Sequence, residues 1–458
     1  MFPASRFAAL AVCLFAPNNP ALHADPAAAS DVESAILTRI QVAHFAQRDF
    51  PITDFGASVD ADCTDALAKA IAACHAAGGG RVVVPTGVWL TGAVHLKSNV
   101  NLHLAEGATL RFGPEPVKYL PVVLTRFEGI ECMNYSPLIY AFEQENVAVT
   151  GKGTLDGSAN WATWWAWNDK SKGQPSRQVP DRNQLDEQGT GGTPVAERVY
   201  GGGHFLRPNF IQPYRCKNVL IEGVTVVNSP MWEIHPVLCT NVTVRGVTVR
   251  SLGTNNDGCD PESCRDVLIE DCVFETGDDC IAIKSGRNND GRRVGVPSEN
   301  IVVRRCTMKD GHGGVTMGSE VSGGVRNVFV SDCTMDSPNL ERAFRFKSNA
   351  VRGGVIENIF VRGVKIGRVA RAVLSVEFDY EEGANGPHKP VLRNVLIENV
   401  TSASSGSVAI VTAFPGAVIE SVRLKDCTFR GVEAADVLKH AGSLTFENVT
   451  IEPAKKKK

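Results

Sequence analysis

From Asn99 onward, apolar and polar residues alternate in bursts of three to five positions, rich in Val and Ile, each stopped by Gly, Asn, Asp or Ser. Alternation with a period of two between turn-forming residues predicts short, half-buried strands. The bursts recur as one phrase: a small residue, Asn-Val or Asn-Ile, an alternating strand, a turn and a second short strand. It reads CKNVLIEGVTVVNSP from Cys216, CTNVTVRGVTVRSLG from Cys239 and CRDVLIEDCVFETGD from Cys264. Further copies start at Ser298, Val325, Ile356, Leu392 and Ile419, with earlier ones near Asn99 and Asn146, at spacings of 23 to 36 residues. Repeats of this length build propellers, leucine-rich horseshoes or parallel β-helices. The Leu skeleton of the horseshoe and the Trp-Asp signature of one propeller class are missing. A parallel β-helix stacks each repeat on the last, so that like residues form ladders about 4.8 Å apart. The sequence has such ladders. Cys272, Cys306, Cys333 and Cys427 share a phase with Val224, Val247, Val364 and Val400, and Cys216, Cys239 and Cys264 share another. A position that alternates between Cys and Val is buried and apolar.

Two stretches break the pattern. Asp62 to Ala77 carries Ala66, Ile71 and Cys74 at helical spacing and ends at Gly78-Gly79-Gly80. It predicts a helix capping the N-terminal end of the coil, where strand edges would otherwise be open. Residues 158–203 are polar and hold Trp161, Trp164, Trp165 and Trp167. An insertion of this kind either serves a cleft, with exposed tryptophans for sugar stacking or a lid, or packs those rings onto the coil.

Arg6, the apolar run Phe7 to Ala16 and small residues around Ala21 and Ala24 read as a secretory signal peptide, too short to span a bilayer. The expected organisation is a signal peptide over 1–24, a linker over 25–48, one β-helix catalytic domain over 49–454 with its insertion at 158–203, and a basic tail over 455–458. Secretion, to periplasm or exterior, and no membrane association follow from that reading. Export permits disulfides, but the ladder phases of the cysteines argue against a disulfide framework, and no CxxC pair suggests structural zinc. For Cys63, Cys74, Cys132, Cys259 and Cys280 the sequence leaves pairing open. A net charge of −3 gives no reason to expect nucleic-acid binding, and a polyanionic substrate would need a local basic patch.

Four polar clusters stand on successive repeats: Asn255-Asn256-Asp257-Gly258, Gly277-Asp278-Asp279-Cys280, Gly311-His312-Gly313 and Arg345-Phe346-Lys347. Counted at Asp257, Asp278, His312 and Arg345 they lie 21, 34 and 33 residues apart. Singly, each has an ordinary reading as a turn, a flexible loop or a strand face. Together they share one phase, just after the second strand of each repeat, and so one face. Glycoside hydrolysis needs a carboxylic acid for the leaving oxygen and a carboxylate for water, and crowded carboxylates keep one of their number protonated. Arg345 and Lys347, alternating around Phe346, would present two cations to a sugar carboxylate.

On these residues the chain resembles the polygalacturonases of glycoside hydrolase family 28. The resemblance extends to Asp54-Phe55-Gly56-Ala57 and to Asn228-Ser229-Pro230-Met231-Trp232 with His235. It implies a single-stranded, right-handed parallel β-helix and inverting hydrolysis of α-1,4-galacturonosidic bonds in polygalacturonate or an oligogalacturonide, with no cofactor and no metal. By resemblance Asp278 is the general acid, Asp257 and Asp279 activate water, His312 assists the acid, and Arg345 and Lys347 bind the substrate carboxylate. Asn255 and Tyr380 are further substrate contacts. Asn256 stands where the family has Thr, which touches local hydrogen bonding rather than the catalytic Asp. The NNDGCDPES wording and the long insertion are more like exo-acting members. The rival readings are a calcium-dependent, pectate lyase-like β-elimination and a non-catalytic polysaccharide-binding β-helix. Another pectic glycan, such as rhamnogalacturonan, is an alternative substrate, and a capped solenoid is expected to be monomeric.

Overall fold

The computed structural model describes residues 26–169 and 176–455, so the expected signal peptide and all but Lys455 of the basic tail lie outside the described residues. The expected coil is present. Thirteen strands, from Asp49–Pro51 to Leu444–Glu447, form one sheet in strict chain order, each paired in parallel with the strand one coil before and one coil after. The second strand of each repeat belongs to a second long parallel ladder running from Gly87–Thr91 through Thr248–Ser251 and Val273–Thr276 to Lys365–Glu377. A third line of short strands, Ile281–Ile283, Val315–Met317 and Arg342–Lys347, joins that ladder at Lys365–Glu377. Single bridges extend it back through Cys259 and Ile234 to Ile211. The architecture is a right-handed parallel β-helix.

In-register stacking accounts for the repeated residues. Asn99, Asn146, Asn218 and Asn241 each sit at a left-handed turn, and each of the last three donates its side-chain N–H to the Asn side chain one coil before, at 2.8–3.0 Å. Asp266, which has no donor, starts a second run through Asn300, Asn327, Asn358 and Asn394. Asn combines tolerance of the left-handed conformation with one donor and one acceptor, which suits both demands at once. Asn327→Ala removes two rungs and puts a Cβ-bearing residue without local hydrogen bonds at φ 57°. A loss of about 2–3 kcal/mol in chemical denaturation is expected.

All twelve described cysteines are buried and unpaired, so those left open by the sequence are not bridged. The capping helix, α2 (Thr64–Ala76), covers the N-terminal end with Ala66, Leu67, Ala70, Ile71 and Cys74 buried. The stretch expected to be a linker contains another helix, α1 (Pro26–Arg39). Its Ala29 and Ile36 cover an outward-facing ladder of Leu268, Val302, Phe329, Phe360 and Leu396, and Arg39 pairs with Asp266 at 2.8 Å. An apolar ladder on the outside of a coil needs a cover, and α1 supplies it.

Most of the tryptophan insertion packs rather than reaching out. Trp164 and Trp167 are buried and meet edge to face, and Trp165 donates its Nε1–H to the Ser229 carbonyl at 2.8 Å. Only Trp161, 57% exposed, is free for an outside partner among the four. The insertion also carries helix α3 (Gln178–Gly191) to the rim of the cleft. Among the described residues no helix is long and apolar enough to cross a membrane.

Candidate active site

The four polar clusters do meet. Their backbones are tied turn to turn: the Asp278 N–H donates to the Asn256 carbonyl at 3.2 Å, and the His312 N–H to the Asp278 carbonyl at 3.0 Å. Gly258 and Cys280 continue the stack through the carbonyls of Asp279 and Gly313. One carboxylate oxygen from each of Asp257, Asp278 and Asp279 falls within a span of 4.8 Å. Gly313 is required by this crowding, because a Cβ there would lie 2.8 Å from Asp279 Oδ1 and 2.3 Å from Thr316 Oγ1.

The three carboxylates have different surroundings. Asp278 is the most open, and its Oδ1 accepts from its neighbour's backbone, Asp279 N–H, at 3.0 Å and stands 2.9 Å from His312 Nδ1. Both contacts fall on Oδ1. The hydrogen bond to Asp278 raises the His312 pKa against the opposing effect of burial. Asp279 is fully buried. Burial opposes its charge, but Lys347 Nζ at 2.7 Å and Arg345 at 3.5 Å outweigh that and hold its carboxyl below the ordinary range. Asp257 is buried too; burial first, then Asp260 and Asp278, push its pKa well up, while Lys284 at 3.6 Å opposes them. Its buried Oδ1 has no protein hydrogen-bond partner, and the residue lines the pocket.

Asn256 meets the local hydrogen-bonding demand that its departure from Thr raised. Its Oδ1 accepts from Ser251 and the Gly253 N–H, and its Nδ2 donates to the Ser229 and Met231 carbonyls, all at 2.8–3.1 Å. Asn255 accepts from Arg207 at 2.8 Å and Asn168 at 3.0 Å and lines the pocket. Arg345 pairs with Glu377 at 2.7 Å, and Lys347 stands 5.5 Å from the centre of the Tyr380 ring. His235 faces no solvent: it is fully buried against Glu262, Asn209 and Gln212. The aspartate trio has the spacing to gather a cation, but Lys284 and Lys347 already bring positive charge to two of its members.

The pocket between these groups is lined by Trp232, Asn255, Asp257, Asp278, Lys347 and Tyr380, among others. One side is shut by groups that the sequence did not single out. Glu128 sits at the turn of the antiparallel hairpin Val123–Phe127 and Ile130–Asn134. It pairs with Arg182 of α3 at 2.5 Å and with Arg287 at 3.0 Å, and Arg182 reaches Glu381 at 3.5 Å. Four segments remote in sequence are thereby fastened into a wall. Its signal was weak, since isolated charges in loops carry no phase. Lys284, Asp260 and Glu320 were also missed, although the alternation of Ile281-Ala282-Ile283-Lys284 does place Lys284 on the outward face with Ala282.

Known proteins agree with this geometry. The model of glycosyl hydrolases family 28 matches residues 203–450. A Vitis vinifera protein described as a probable polygalacturonase is 28% identical over 366 residues, which cover 76% of this chain and 67% of that protein. The exo-poly-alpha-D-galacturonosidase of Dickeya chrysanthemi is 26% identical, and the match covers 72% of this chain but 57% of that longer protein. The crystal structure of a hyperthermoactive exopolygalacturonase from Thermotoga maritima superposes with a TM-score of 0.89 at 45% identity, over 93% of this chain and 96% of that one. The chain belongs to glycosyl hydrolases family 28.

Proposed function

We propose that this glycoside hydrolase cleaves α-1,4-galacturonosidic bonds of polygalacturonate or its oligomers by an inverting mechanism, taking galacturonic acid from a chain end. The observation that carries the reading is one pocket with three differently held aspartates next to two buried cations. Asp278, open and bonded through Oδ1 only, protonates the leaving oxygen, with His312 holding its orientation. Water is activated by the unpartnered Oδ1 of Asp257, while Asp279 stays charged and supports it. Lys347 and Arg345, beside Tyr380, bind the carboxylate of the sugar. The 4.8 Å span of the carboxylate oxygens is tighter than the roughly 6.5–9.5 Å usual between inverting pairs. Inversion is favoured instead because Asp279 has both oxygens committed to Lys347 and Arg345, so it is poorly placed to attack carbon itself.

Action from the chain end is supported by the Glu128–Arg182–Glu381 wall, which lines one side of the pocket. The names of the Thermotoga and Dickeya relatives agree with it. An exported enzyme suits a substrate too large to enter a cell, which is in keeping with the leader-like N-terminus.

Product analysis over time tests the end-on mode. Wild-type protein should release monomer from the first minutes, whereas Arg182→Ala, which removes the central tie of the wall, should add oligomers of intermediate length. Early appearance of a full ladder of oligomers with the wild type would overturn the end-on reading.

A further inference from the structure

The pocket is also lined by Lys284 and Glu320, charges for which the catalytic roles above have no use. Lys284 follows Ile281–Ile283 and is buried, with its Nζ 3.6 Å from Asp257, 3.6 Å from Asp260 and 3.2 Å from Glu320, and 4.4 Å from the centre of the Trp232 ring. Asp260 is fully buried, and neither of its oxygens has a protein hydrogen bond. Backbone register fixes the arrangement: Glu262 bridges to Lys284, and Asp260 stands two residues before Glu262 on the same outward face.

We propose that Lys284 is the positioning residue that favours the charged form of Asp257 and aims it at the water, and that Asp260 competes with Asp257 for that ammonium. This rests on the reading of Asp257 as a water-activating carboxylate.

The charge balance makes the competition real. Asp257 faces Asp260, Asp278, Asp279 and Lys284; Asp260 faces Lys284, Asp279, Glu320, Asp278 and the buried Glu233. Lys347 and Arg345 are committed to Asp279, and Glu320 is served by Arg352 and Arg287 besides Lys284. Burial comes first in pushing both Asp257 and Asp260 towards the neutral form, and Lys284 is the cation that opposes it for each. A single ammonium between two such carboxylates favours ionisation of either, and removing one carboxylate also removes its repulsion of the other. The same burial keeps Lys284 itself charged only through its acidic neighbours, and its pKa is raised well above the ordinary value by Glu320, Asp260 and Asp257 in spite of desolvation.

The two substitutions must therefore act in opposite directions. The acidic limb of kcat/KM against pH reports the free enzyme's base. Lys284→Met should move that limb up by about one pH unit or more, with roughly tenfold or greater loss of kcat/KM on the acid side. Asp260→Asn, which keeps the side-chain volume, should move it down, and Lys284→Arg should leave it near the wild-type position. A fault in folding or packing would lower activity at every pH and would not give shifts of opposite sign. Unshifted limbs, or shifts in one direction for both variants, would overturn the proposal. Should Lys284→Met fail to fold, the downward shift in Asp260→Asn decides alone. Asp257→Asn separates this proposal from the reading beneath it: if that variant stays active, the role of Asp257 is wrong, whereas if it is inactive and the limbs do not move, only the role of Lys284 is.

Discussion

Asp278→Asn is expected to lower kcat on polygalacturonate by roughly 10³-fold or more while the protein stays folded. The amide keeps the shape of the carboxyl and still accepts from the Asp279 N–H, so the turn loses little. What it cannot do is give a proton to the leaving oxygen. Because Asp278 is the most open of the three aspartates, the change also leaves no charge buried without a partner. Circular dichroism and thermal unfolding should match the wild type, and KM should change far less than kcat, since the interaction lost belongs to the transition state. A variant with the wild-type rate would move the acid elsewhere in the pocket.

Lys347→Met carries the second largest effect, and it touches both binding and stability. The substitution removes the ammonium that stands 2.7 Å from Asp279 and beside Tyr380, at nearly the same chain length. Loss of a buried, hydrogen-bonded charge partner should cost about 3–5 kcal/mol in unfolding free energy, softened by Arg345, which keeps its 3.5 Å contact. For turnover, a fall of about 10²–10³ in kcat/KM is expected, because the sugar carboxylate loses a cation in a site shielded from water. The pH dependence follows from Asp279. Its folded-state pKa is depressed, so the stability it contributes is present above the unfolded-state value near ~4 and is lost as pH falls through the folded value. The stability gap between wild type and Lys347→Met should accordingly be full at neutral pH and shrink below about pH 4. Denaturant titrations at several pH values check it; a gap that grows on acidification contradicts the pairing.

Periodicity made most of this structure readable from the chain. The Cys/Val and Asn ladders recur because parallel coils bring equivalent residues into register, and the same register gathers Asp257, Asp278, His312, Arg345 and Lys347. What lay outside the repeat was harder to read. Helix α1 has no phase in common with the coil, and its partner surface is an outward ladder that looks in sequence like any other strand centre. The tryptophan insertion gave away its existence but not its manner of packing, since ring burial depends on Tyr119, Phe205 and Tyr135, which lie elsewhere in the chain. The Glu128–Arg182–Glu381 wall joins a hairpin turn, helix α3 and a loop, and Lys284 reads as the polar end of an apolar strand until Asp257, Asp260 and Glu320 are seen around it.

The most direct test follows one oligogalacturonide, labelled at its reducing end, by proton magnetic resonance and ultraviolet absorbance in the presence of chelator. The predicted result is saturated galacturonic acid leaving the unlabelled end one unit at a time, with the β-anomer formed first and the rate unchanged by the chelator. An unsaturated, ultraviolet-absorbing product, or the α-anomer formed first, would contradict hydrolysis by water held at Asp257 and Asp279 with Asp278 as the acid.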